Sequence, residues 1–117
     1  MKLINADDHP MLEINVAKGT KIISLAKILF IKACDKGSDI HMVDDEIIRT
    51  RYLLNSFNEY LPVPFFFRCH NSYLINCSFV DCHTFYHAIM RDNTPIPLSR
   101  RKVRILKEIL IELGKIS

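Results

Sequence analysis

No stretch of this 117-residue chain is both long and apolar enough to cross a bilayer: the most apolar early run, LAKILFI, is short and broken by Lys27, which excludes a membrane span. The N-terminal MKLINADDHPMLE lacks the long apolar segment of a secretory signal, so a cytoplasmic location is expected. Cysteines number only four, Cys34, Cys69, Cys77 and Cys82. In a reducing compartment they read as buried thiols and not as a disulfide framework. Cys77, Cys82, His83 and His87 lack the paired C-x2-C spacing of a structural zinc site. If they lie on one continuous strand, His83 and His87 are about 13 Å apart, too far to share an ion. No metal and no cofactor are therefore expected. Glycine is scarce as well, with Gly19, Gly37 and Gly114 each falling at a turn, a loop centre or a helix stop. Internal repeats and low-complexity segments are absent.

What is present is apolar content: 49% of the residues are hydrophobic, enough for a core in one domain and too much for disorder. The net charge of +3 says little, but its distribution says more. Residues 1–60 hold eight Lys/Arg against nine Asp/Glu, whereas residues 61–117 hold eight against four. The densest basic cluster is SRRKVR at 99–104. Such asymmetry suits an anionic partner on the C-terminal half.

Residues 1–11 read as a loose lead-in, and the domain is expected over 12–117. From Leu12 the chain shows short apolar runs between turn signals, the rhythm of a β-rich fold. LEINVA is a strand turned around at Gly19, KIISLAKILFIKA supplies one or two strands, and CDKGSD is a polar loop. IHMV and IIRTR pair across the acidic turn DDE. YLLNSFNEYL places Leu53, Leu54, Phe57 and Leu61 at helical spacing, stopped by Pro62 and Pro64. FFFRC and YLIN follow as extended segments, then FVDCHTFYHAIMRD as one longer strand ending at an Asp92-Asn93 turn. TPIPL, with two prolines, can only be an edge strand. In the last element Val103, Leu106, Leu110 and Leu113 share a face, Ser99 is the expected N-cap, and Gly114 the stop. The fold class is mainly β, with a short central helix and a C-terminal helix.

Three places carry chemistry. In FFFRCHNSYLIN, adjacent Cys69 and His70 point to opposite faces of a strand, so they cannot form a nucleophile and its base. Phe65, Phe67 and Cys69 share a parity, which turns the thiol inward and leaves Arg68 and His70 facing out. An enzyme is the least expected class. Arg and His can hold phosphate oxygens, and Asn71 can read a base edge, although Asn71-Ser72 also suits a plain turn. At the last helix, Arg100, Arg101 and Lys102 fall in the first turn, where the helix dipole is already positive. A phosphate bound there resolves the conflict, and so does pointing the three side chains into water. The loop CDKGSD adds Lys36 and Ser38 as weaker polar reach. A competing class is a protein-interaction or thiol-based redox module centred on Cys69, whose basic neighbours would lower its pKa if it were exposed.

FFFRCHNSYLIN and TPIPLSRRKVRIL together resemble the LytTR family of bacterial DNA-binding domains, output domains of two-component response regulators. Phe66, Arg68, His70, Ser72, Tyr73, Ile75 and Asn76 match one family pattern; Ile96, Pro97, Leu98, Ser99, Arg100 and Arg101 match the other. The resemblance runs from about Leu12 to Leu113. It implies an elongated arrangement of small antiparallel sheets with helices packed against it. It also implies sequence-specific binding of double-stranded DNA by loops in the major groove, on direct repeats, with a homodimer formed on DNA. A receiver domain or sensor-kinase pathway would lie outside this chain. Carried over by position, the DNA-binding residues are Lys36 and Ser38, then Arg68, His70 and Asn71, then Ser99, Arg100, Arg101 and Lys102. Glycine, serine and aspartate at 37–39 replace the basic or imidazole side chain common in that family loop.

Overall fold

The computed structural model describes residues 1–62 and 65–116. Eleven strands and one α-helix occur among them, and the chain divides into two compact units, Met1–Pro62 and Val63–Ser117. The mainly β class expected from the sequence is the one observed.

The first unit opens with β1 (Lys2–Ala6), β2 (His9–Val16) and β3 (Gly19–Ser24), an antiparallel meander. The expected loose lead-in thus contains a strand. Asp7 and Asp8, at φ 49° and 63°, form the two-residue turn between β1 and β2. Both central residues at positive φ match the twist of a hairpin. A signal written Asp-Asp, with no glycine, is hard to see in sequence. After a 3₁₀ turn at Leu25–Lys27 come β4 (Ile28–Cys34), β5 (Gly37–Met42) and β6 (Ile47–Thr50), again antiparallel neighbours. KIISLAKILFIKA is therefore two strands. Ile28 to Ile31 are buried without alternation, because this part of β4 is covered on both faces. The Thr50 hydroxyl donates to Asn15 O at 2.9 Å, tying β6 to β2.

The expected central helix is a 3₁₀ segment, Leu54–Glu59. Residues three apart eclipse in that geometry, so Leu54 and Phe57 are both buried while Leu53 is exposed. Full burial of Phe57 contributes about 2–3 kcal/mol. Pro64, expected to help stop this helix, lies outside the described residues.

The second unit begins with the hairpin β7 (Phe66–His70) and β8 (Tyr73–Asn76). The buried Asn76 side chain accepts from Ser78 N at 3.0 Å and caps a 3₁₀ turn at Cys77–Phe79. FVDCHTFYHAIMRD is not one strand but β9 (Val80–His83) and β10 (His87–Met90), followed by β11 (Pro95–Pro97) at the sheet edge. The break comes from Thr84, whose hydroxyl accepts from Tyr86 N at 3.2 Å and His87 N at 3.0 Å, a local turn that competes with strand continuation. His83 and His87 therefore flank a hairpin, and the strand-spacing argument against their sharing an ion does not apply. Helix α1 (Lys102–Glu112) closes the unit, burying Leu106, Ile109 and Leu110. It ends as expected at Gly114, φ 74°. Lys115 N donates to Leu110 O at 2.9 Å and Gly114 N to Ile111 O at 3.0 Å, the paired bonds of a glycine C-cap.

Candidate nucleic-acid interface

Within the second unit, the two motif segments lie side by side. Ser99 N donates to Cys69 O at 2.8 Å, Leu98 N donates to Tyr86 O at 2.8 Å, and the Cys69 thiol reaches Pro97 O at 3.6 Å. The approach to α1 is thereby held along β7. The helix starts two residues later than expected: Arg101 occupies the N-cap position in place of Ser99, no side chain caps it, and Lys102 is the first helical residue. Ser99 instead accepts from Lys102 N through its backbone carbonyl at 2.8 Å. Arg100 and Arg101 form the exposed turn ahead of the helix. Lys102 sits with its ammonium 5.5 Å from the centre of the Phe67 ring, a cation–π contact that holds the charge near β7.

The strand itself departs from simple alternation. Phe67 pairs with Ile75 but His70 with Tyr73, so β7 carries one residue more than β8 across that interval. The bulge shifts the parity. Phe66, not Phe65 or Phe67, is buried together with Cys69, while Phe65 is exposed. Cys69 still faces inward as expected, with no exposure, and burial pushes its thiol up to about 12. A thiolate switch needs the opposite shift and an accessible sulfur, so the redox reading loses its premise.

At the tip, Arg68 serves its own hairpin. Its Nε donates to His70 O at 2.9 Å and its Nη2 to Asn71 O at 2.6 Å, and partial burial lowers the guanidinium pKa. His70 Nδ1 accepts from Ser72 N at 3.1 Å. That bond fixes the tautomer, leaving Nε2–H as a donor, and the ring packs edge-on to Tyr73 at 6.0 Å. Asn71 is exposed at the apex. A turn whose backbone is clamped by a guanidinium and an imidazole is pre-organised at its apex.

The third expected place belongs to the first unit. Lys36, at φ 64°, stands exposed in the two-residue turn between β4 and β5. Ser38, expected to add polar reach, is fully buried and donates to Tyr52 O at 2.7 Å. Next to Lys36, Arg49 and Arg51 line the same cavity of about 430 Å³, and sequence reasoning passed over both. The alternating Arg-Thr-Arg at 49–51 was the available signal, since alternate residues on a strand share a face. Arg49 makes a bidentate pair with Asp39, at 2.9 and 3.1 Å, and holds that carboxyl below its ordinary 3.8.

No helix among the described residues is long and apolar enough to cross a membrane. A family model described as the LytTr DNA-binding domain matches residues 18–111. Among solved structures, the chain is similar to the LytTr DNA-binding domain of a methyl-accepting/DNA response regulator from Bacillus cereus. The TM-score is 0.69 at 21% identity, over 86% of this chain and 95% of the other. Comparison with curated proteins finds no match.

Proposed function

The chain belongs to the LytTr DNA-binding domain family, and we propose that it is a cytoplasmic transcription regulator that reads duplex DNA through loops in the major groove, two copies on a direct repeat. A receiver domain or sensor-kinase pathway outside this chain supplies the signal. The observation that carries most weight is the backbone bond from Ser99 N to Cys69 O. It supports the reading by tying β7, which leads into the Asn71 apex, to the residue just ahead of the Arg100-Arg101 turn.

In this reading Asn71 and Arg101 contact base edges, Asn71 by paired donor and acceptor and Arg101 as a fork on guanine. Arg100 and Lys102 hold phosphates, and His70 Nε2–H donates to an oxygen or ring-nitrogen acceptor. Ser99 positions the turn through its backbone. Arg68 is a positioning residue that clamps the hairpin, in place of a phosphate contact. Lys36 supplies a separate backbone contact from the first unit. Contacts with phosphate supply affinity without sequence information, whereas base edges supply discrimination.

The test is a fluorescence-anisotropy titration against duplexes selected from a random library, repeated across ionic strength. Affinity falls steeply with salt because each phosphate contact releases counterions. Arg101→Ala relaxes the base preference at one position by about 1–3 kcal/mol, whereas Lys102→Ala weakens all duplexes alike and reduces the salt slope by about one. Salt-independent binding sinks the proposal, and identical behaviour of the two variants sinks the division of roles.

A further inference from the structure

Beside α1 lies a groove of about 770 Å³ whose walls include Phe85, Tyr86, Val103, Arg100, Arg104 and Lys107. Phe85 is 80% exposed and Tyr86 74%, an unusual pair of rings to leave in water. Their exposure is built in: the Thr84 hydroxyl accepts from Tyr86 N and His87 N, and Tyr86 O accepts from Leu98 N. An apolar floor with a basic rim fits an occupant that is acidic with apolar shoulders.

Such an element occurs in this same chain, on the first unit. The β5–β6 turn carries Asp44, Asp45 and Glu46 in succession, flanked by Val43 and by Ile47, which is 57% exposed. This turn is also held firmly. Glu46 N donates to Asp44 Oδ1 at 3.0 Å, Asp45 N to Met42 O at 3.1 Å, and Val43 N to Lys27 O at 2.9 Å. Glu46 is paired with Lys21, which leaves Asp44 and Asp45 as the excess negative charge. On the groove side, Arg104 is offset by Glu108 at 3.6 Å and Arg100 is assigned to phosphate above, which leaves Lys107 as the excess positive charge.

We propose that the groove beside α1 docks the acidic β5–β6 turn of a second copy of this chain. Copies bound to a direct repeat share one orientation. Neighbours therefore meet through two different patches, not through one patch used twice, and the groove and the turn form such a pair. This inference rests on the direct-repeat reading above. Duplex DNA itself is a poor occupant, because its bases are stacked inside and offer exposed rings nothing to stack on.

The test compares the full chain on a library-selected duplex carrying one copy of the site with a duplex carrying two copies in the same orientation. The second copy is expected to bind about tenfold more tightly than the first. Phe85→Ala, Lys107→Glu and Asp45→Lys each abolish that gain while leaving single-site affinity within about twofold, and unchanged single-site binding shows that each variant is folded. Combining Lys107→Glu with Asp45→Lys restores the gain, because the charges are exchanged across the contact. Persistence of the gain in the single variants overturns the proposal, and so does failure of the combined variant to restore it. Failure of the DNA reading looks different: the unaltered chain then binds no single-site duplex.

Discussion

Replacing Arg68 separates two physical roles that one residue type can fill. A phosphate contact needs a charge near the backbone; a clamp needs a planar fork aimed at two carbonyls. Arg68 donates to His70 O at 2.9 Å and to Asn71 O at 2.6 Å. Bonds from a charged donor contribute about 1.5–3 kcal/mol each in full burial, and partial exposure of the guanidinium brings the pair to about 2 kcal/mol. If the Asn71 apex must be ordered to bind, Arg68→Ala makes the duplex supply that order, and affinity drops about thirtyfold. Lysine cannot reproduce the fork, so Arg68→Lys loses nearly as much although the charge remains. The assay is anisotropy at several salt concentrations, with urea unfolding as the control for global stability. A clamp leaves the salt slope unchanged. Rescue by Arg68→Lys, or a slope reduced by one full contact, refutes the clamp.

Gly37→Ala destabilises the first unit by at least about 2 kcal/mol, because the added Cβ falls well inside van der Waals contact of Thr50 O and 3.0 Å from Arg51 Cα; a urea midpoint equal to that of the parent contradicts this. Asp39 is held below its ordinary 3.8 by the Arg49 fork, so its contribution is present above that value and lost as pH falls through the lower folded one. Asp39→Asn should flatten the acid limb of the stability curve below about pH 4, and an unchanged limb would count against the pair. Burial pushes Cys69 and Cys77 from 9.0 to about 12; the unfolded chain ionises first, so stability is complete below pH 9 and falls between 9 and 12. The loss runs at about 1.4 kcal/mol per pH unit for each thiol, and Cys69→Ala should shallow it. In thiol labelling of the folded protein, exposed Cys82 reacts promptly and buried Cys69 only on unfolding; fast labelling of Cys69 would contradict its burial.

The periodic elements were legible because their signals are local. The face of α1, its glycine stop, the Asp92-Asn93 turn and the proline-bearing edge strand depend on residues within one turn or one strand of each other. Elements set by a local turn without glycine or proline to mark it were misread. Thr84 breaks what looked like one long strand, and Asp7-Asp8 makes a hairpin without the glycine that usually marks one. The β7 bulge moved the buried phenylalanine from 65 and 67 to 66, because one inserted residue reverses every side chain on one side of it.

Residue types and their order determined that this is a β-rich member of a DNA-binding family, with its basic groups gathered at 68–71 and 99–102 and Cys69 turned inward. Only the tertiary structure decided what each of those groups is free to do. Ser38 is buried against Tyr52 O and Arg68 is spent on its own turn. Arg49 and Arg51 join Lys36, and Phe85 and Tyr86 stand exposed beside a basic helix. Periodicity specifies which face of an element is apolar, but whether a polar side chain reaches solvent or a backbone carbonyl depends on what the fold brings within 3 Å or so of it.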